Sequence, residues 1–187
     1  HTTIPFVGQV DLGWLYYPLA AVVIVGVVNA VNFTDGIDGL NTTVSFFAFL
    51  SLALCAGLLS MTGLSAMGLA SAAACIGFLI WNWHPAKVFM GDTGSLFMGG
   101  MVCALAFGMD LPLLLLPVGF VYLCEILSVV LQVTYFKATH GKRLFKMSPI
   151  HHHFEMCGWS EVKICLVFGL VALLGGAVAI LCVAFGM

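Results

Sequence analysis

Three short polar stretches hold the residues able to do chemistry: "NFTDGIDGLN" (32–41), "VFMGDTGS" (88–95) and "SPIHHHFE" (148–155). In the first, Asp35 and Asp38 are three apart, so they share one face if the segment is helical and diverge if it is extended. Asn, Thr and Asp also cap helices and Gly ends them, which makes helix punctuation the competing reading. A calcium loop fits poorly, because Phe46 stands at the twelfth position counted from Asp35, where a bidentate Glu is expected. The "NFT" and "NTT" sequons have no function in a cytoplasmic loop. Asn32, Asp35 and Asp38 beside Gly36 suit a polar ligand such as a sugar or a base.

In the second stretch, Gly91 and Gly94 flank Asp92 and Thr93, and Ser95 follows where a helix is expected to begin. Glycine lets backbone N–H groups approach an anion, and a helix N-terminus favours negative charge. Asp92 would repel a phosphate if it stood alone. Magnesium removes the conflict, since it uses one or two carboxylates together with the phosphates of a substrate. No G-K-[ST] follows, so this is not a Walker loop, and an ordinary N-cap is the alternative. In the third stretch, three successive histidines cannot all face one metal from a helix. If the segment is extended, His151 and His153 share a side and His152 points away. Histidines can donate to phosphate oxygens or shuttle a proton, and solvated histidines near headgroups are the alternative. Asn82, Glu125 and Gln132 are lone polar residues inside apolar runs. Glu125 lies deepest and reads equally as a helix–helix hydrogen bond or a site residue.

The elements that must carry these stretches are membrane helices. The chain is 62% hydrophobic and 7% charged, with mean hydropathy +1.14, against roughly 25% charged residues in soluble domains. The expected class is an all-α polytopic membrane protein of about six spans: 15–31, 45–61, 65–83, 94–109, 111–135 and 164–186. Seven scattered cysteines without a CxxC read as packing residues. All six Lys and Arg fall in the loops that also hold the three polar stretches, which places those loops on the cytoplasmic side under the positive-inside rule. Residues 1–14, "SMTGLS" and "GMDLP" are then external, and every unusual polar group but Glu125 collects near one face.

The motifs "NAVNFTDGIDGLN", "VFMGDTGS", "LSVVLQV" and "SPIHHHFEMCGW" resemble those of the phospho-N-acetylmuramoyl-pentapeptide-transferase family, within the polyprenyl-phosphate sugar-1-phosphate transferases. The first two are shared across the superfamily, and the His-rich loop points to the muramoyl-pentapeptide branch. The resemblance implies transfer of phospho-MurNAc-pentapeptide from UDP-MurNAc-pentapeptide to undecaprenyl phosphate, forming lipid I and UMP. It also implies Mg²⁺, a homodimer in the bacterial inner membrane among membrane lipid, nucleoside antibiotics as inhibitors, and no nucleic acid partner. On the same resemblance Asp92 holds the metal, Asp35 sits at the reaction centre, and His151 and His152 supply donor or positive character. Phe89 stacks on uracil, while Asn32, Gly36, Asp38 and Asn82 line the nucleoside pocket. Gly91, Ser95, Gln132 and His153 complete the substrate contacts. The family has about ten spans and an adjacent Asp-Asp pair that this chain lacks. The 187 residues are therefore expected to form one transmembrane catalytic domain without its upstream spans.

The chemistry agrees with that assignment. A phosphate monoester has its second pKa near 6, so a lipid phosphate is mostly ionised and needs little general-base help. Bringing two anions together is the difficulty, and charge neutralisation and positioning answer it. A transferase for another UDP-amino sugar, or a transporter with polar residues lining a path, are the alternatives.

Overall fold

The computed structural model describes residues 2–186. It opens on an antiparallel hairpin, β1 (Thr2–Ile4) and β2 (Gly8–Val10), with Thr3 opposite Gln9. The rest is helical: α1 (Tyr16–Thr34), α2 (Leu40–Leu58), α3 (Thr62–Asn82), α4 (Gly91–Gly108), α5 (Leu115–Val118), α6 (Phe120–Ala138), α7 (Ile150–Glu155) and α8 (Glu161–Gly186). The all-α, polytopic class expected from composition is what forms. Five helices (α1 with the turn before it, α2, α3, α6 and α8) are long and apolar enough to cross a membrane among the described residues. The fourth expected span becomes α4, whose first turn is the polar "GDTGS" and whose apolar part is correspondingly short. The span drawn over 111–135 is broken at Gly119 into α5 and α6, with a 3₁₀ turn led by Pro112 before them.

Two boundaries differ from expectation in ways that matter for the site. The second helix begins at Leu40, not near 45, because Gly39 takes φ +74° and turns the chain directly into it. The whole α1–α2 connection is therefore Asp35–Gly39, and Asn32 rides on the last turn of α1. The "IHHHFE" segment is a short helix rather than an extended strand, so its histidines point in three directions and not two.

The core is built around α2, which packs against α3 on one side and α8 on another, while α4 and α6 pack against α1. Lipid tails are as apolar as these side chains, so helices associate through close approach and not through a hydrophobic drive. Small residues supply the approach. A Cβ on Gly68 of α3 would stand 2.9 Å from the Cβ of Ala53 on α2, and one on Gly99 of α4 would stand 2.7 Å from the Cα of Val28 on α1. The outward faces of α1, α6 and α8 remain studded with exposed Leu, Val and Phe, as a lipid-facing surface requires.

The connections sort to two ends of the bundle. At one end Thr3 donates from its amide to the Asp110 carbonyl (3.0 Å) and Phe6 donates to the Gly186 carbonyl (3.0 Å), so the hairpin, the α4–α5 connection and the end of α8 lie together. At the other end the Asp35–Gly39 turn meets the α3–α4 connection and the start of α8. The Gly99 contact gives a direct test. Gly99→Val should separate α1 from α4 and cost roughly 1–3 kcal/mol of stability by overpacking. Gly100→Val, whose Cβ would meet open space, should leave the melting temperature of the detergent-solubilised protein unchanged. Equal melting temperatures for both variants would mean that α1 and α4 do not touch there.

Candidate active site

The Asp35–Gly39 turn, the end of α3 and the start of α4 enclose a cavity of about 290 Å³. Asn32, Asp35, Gly36, Asp38, Asn82, Phe89, Gly91 and Asp92 all line it, with Ile37. Residues read from two separate sequence stretches thus converge on one volume, and its lining holds three carboxylates and no Lys or Arg.

Each side chain is held by a specific neighbour. Asn32 donates through Nδ2 to Asp92 Oδ1 (3.0 Å) and to Ser95 Oγ (2.9 Å), tying the last turn of α1 to the first turn of α4. Ser95 is fully buried and donates in turn to the Gly91 carbonyl (3.0 Å), so it acts behind the cavity and not in its lining. Asn82 is also committed: it accepts from Thr42 Oγ (2.6 Å) and donates to the Val88 carbonyl (3.0 Å), which fixes the approach to Phe89. Phe89 itself is 74% exposed, so one ring face is free for a flat ligand.

Asp38 joins three elements. Its carboxylate accepts from the Ala86 amide (2.9 Å) and sits 3.1 Å from His84 Nδ1, while its own amide donates to Glu161 Oε2 (3.1 Å). The Cys165 thiol donates to its carbonyl at 3.0 Å. Asp38, His84 and Glu161 offer ligand atoms within 4.8 Å of one another, a spacing a metal could use. Those atoms already bond each other and nearby amides, so the group works as a clasp.

Asp35 lies just beyond the membrane-spanning part of α1. Burial holds its carboxyl above the usual carboxylate range, a hydrogen bond from Asn41 opposes this, and the nearby Asp92 charge adds to it. Two carboxylates that repel each other across one cavity form a hard-oxygen donor set suited to a divalent cation such as Mg²⁺.

The histidines stand apart from the cavity lining. His151 is fully buried and its Nδ1 lies 3.0 Å from Glu125 Oε2, also fully buried on α6. His152 pairs with Glu155 one turn on. The Nδ1 of His153 accepts from the Lys146 amide (3.1 Å), and its ring packs on Phe145. Gln132 is likewise engaged with protein: it accepts from the amides of Leu144 and Phe145 (3.0 and 2.9 Å) and donates to the Phe145 carbonyl (3.1 Å), pinning the long loop. Sequence reasoning left Glu125 open between two roles and missed Glu161 and His84. The two acids contact partners 26 and 123 residues away, which no local spacing reveals.

The sequence profile of glycosyl transferase family 4 matches residues 1–110. The chain belongs to that family. It is 53% identical over 173 residues to a phospho-N-acetylmuramoyl-pentapeptide-transferase of Kosmotoga olearia, covering 91% of this chain and 53% of that protein. The same-named protein of Halalkalibacterium halodurans is 47% identical over 172 residues, 92% of this chain and 53% of its own length. That of Desulfitobacterium hafniense is 44% identical over 196 residues, 98% of this chain and 58% of its length. The family read from the motifs is thus the one matched, and transferase relatives do not favour the transport alternative. The chain spans about half the length of the curated relatives it matches.

The state of Asp35 in this family member is open to a direct measurement. An acid whose folded-state pKa is raised retains a proton that the unfolded chain has released, so stability is lost as pH rises from the usual value of 3.8 through the raised one. Asp35→Asn removes that penalty. In chelator, its melting temperature should exceed that of the unsubstituted protein near pH 7, with the gap closing toward about pH 4. A gap that does not change with pH would mean that Asp35 carries no raised pKa.

Proposed function

We propose that the chain supplies the nucleotide- and phosphate-handling part of an enzyme that transfers phospho-MurNAc-pentapeptide from UDP-MurNAc-pentapeptide to undecaprenyl phosphate, forming lipid I and UMP. The observation that carries this reading is the exposed Phe89 ring on a polar cavity with three carboxylates, in a chain about half identical to transferases of that name. An aromatic face suits a uracil ring, and base stacking is sequence-tolerant and strong enough to anchor a nucleotide. Asn32, Gly36, Asp38 and Asn82 shape the pocket around the nucleoside, and Gly91 keeps the approach to Asp92 open.

In the reaction an oxygen of the lipid phosphate attacks the β-phosphorus of the UDP-sugar. A new P–O bond forms to the lipid phosphate, the bond from the β-phosphorus to the bridging oxygen breaks, and that oxygen leaves with UMP. Every participant is anionic, and the cavity adds three carboxylates. The donor set fits Mg²⁺, with Asp92 as its ligand and Asp35 beside it; bound there, the ion would neutralise the diphosphate. Asn32 holds the Asp92 carboxylate in place. His151 stands under the Asp35–Asp38 turn, and His152 and His153 flank it on α7 with the basic loop that Gln132 pins. On the same reading the enzyme is a homodimer in the bacterial cytoplasmic membrane with this cavity on the cytoplasmic side, and nucleoside antibiotics compete for Phe89.

Transfer of label from UDP-MurNAc-pentapeptide into butanol-extractable lipid tests the activity in membranes carrying the enzyme, and label that stays in the aqueous phase would reject it. In that assay Phe89→Ala should raise KM for the UDP-substrate by roughly ten- to a hundredfold, as loss of ~1–3 kcal/mol of stacking implies. An unchanged KM would make Phe89 interfacial packing. Asp92→Asn keeps an oxygen for Asn32 to bond, so the fold should persist. Turnover should nevertheless fall by orders of magnitude, and the rise in melting temperature on adding Mg²⁺ should vanish. A retained Mg²⁺-dependent rise would remove Asp92 from the metal site.

A further inference from the structure

Two fully buried polar atoms near the cavity have no hydrogen-bond partner: His151 Nε2 and Glu125 Oε1. They belong to one pair. Glu125 Oε2 and His151 Nδ1 are 3.0 Å apart, and both side chains are shut off from solvent. As a carboxylate, Glu125 could only accept from Nδ1–H, and in that pairing the far nitrogen of the ring is left to face elsewhere. It faces Gly36. A Cβ on that residue would overlap His151 Nε2 and Cε1, so the ring tip occupies the space that a side chain would take. Gly36 itself lines the cavity and lies between Asp35 and Asp38.

Leaving a buried ring nitrogen without a partner is costly, and burying a carboxylate costs more. A packing role would not need either group, since apolar residues of the same volume pack as well without that penalty. The arrangement does achieve one thing: it fixes the ring through Nδ1 and presents Nε2 to the underside of the Asp35–Asp38 turn. We propose that Glu125 is a positioning residue, which holds His151 so that Nε2 stands beneath Gly36, and that substrate binding shifts the Gly36 turn to admit a substrate hydroxyl, which donates the hydrogen bond that Nε2 lacks. This rests on the transferase reading above, and it adds to that reading a buried residue of the apolar helix α6.

The test reads the ring and the reaction separately. In ¹⁵N-histidine-labelled protein in lipid nanodiscs, the His151 signals are assigned by their loss in His151→Gln. They should show a protonated, hydrogen-bonded Nδ1, a bond that Glu125→Leu abolishes. A neutral ring with its proton on Nε2 in the unsubstituted protein would overturn the proposal, whatever the enzyme's substrate. In the transfer assay, Glu125→Gln should lower kcat by roughly a hundredfold or more, as loss of an orienting carboxylate does. KM for the UDP-substrate should shift by less than about threefold. Added to His151→Gln, the Glu125→Gln change should lower kcat by less than about twofold, because the two act as one unit. A Glu125→Gln protein with reduced melting temperature but unchanged kcat per folded molecule would show that the pair is structural and sink the idea. If that variant fails to accumulate, the spectrum of the unsubstituted protein still decides. Absence of lipid-linked product from every form would count against the transferase reading and leave the ring measurement standing.

Discussion

The clasp centred on Asp38 is the interaction on which the membrane end of this protein depends. One residue uses its amide, its carbonyl and its carboxylate to hold α8 and the α3–α4 connection to the turn between α1 and α2. These segments are far apart in sequence. Without the clasp, the turn bearing Asp35 would be held to the loop bearing Phe89 chiefly through the Asn32 and Asn82 bonds, and the cavity walls would loosen. Loops carry function only where a scaffold positions them. Here the scaffold is a set of hydrogen bonds at the end of a bundle.

Within the bundle, the polar side chains obey the rule that hydrocarbon imposes, because an unpaired group there is expensive. Thr42 of α2 meets Asn82 of α3, Ser45 meets Tyr122 of α6 at 2.8 Å, and Thr34 bonds back to the Ala30 carbonyl at 2.8 Å. The side chains that make these bonds are buried, and the outer faces of the helices are left to lipid. Thr43 of α2 and the buried Glu125–His151 pair depart from this economy, and in the pair each partner keeps one unsatisfied atom. Sites where local satisfaction fails are where function is most often found.

Much of this was legible in the sequence, for identifiable reasons. The spans follow from apolar length, and the gathering of "NFTDGIDGLN" and "VFMGDTGS" at one end follows from alternating loops, so the cavity lining could be named from residue type. What the sequence hides is pairing across helices. Glu125 looks like any lone intramembrane acid until α7 brings His151 against it, and Glu161 looks like a helix-starting acid until the Asp38 amide is seen to bond it. Gln132 and Asn82 were legible as unusual but not as occupied, because Gln132 bonds backbone groups of a loop and Asn82 bonds a backbone carbonyl and a hydroxyl on a neighbouring helix, partners that no local spacing reveals. The extended geometry allowed for the histidine run was not adopted, since one helical turn buries His151 while leaving Lys146 and Phe145 to hold His153.

Tolerance to change is unequal around the cavity. Asn32, Asp38 and Asn82 each hold another segment in place, and Gly36 has no room for a larger residue. Phe89 differs: it projects from the wall, three-quarters exposed, and no ring partner is recorded for it among the described residues. Escape from a toxic molecule that sits in this cavity is therefore narrow. A cell can alter the exposed Phe89 and keep its bundle intact, whereas substitutions at Asn32, Gly36, Asp38 or Asn82 would disturb the architecture along with the intruder. A compound that ignores Phe89 and grips the committed residues would close the easiest route to resistance.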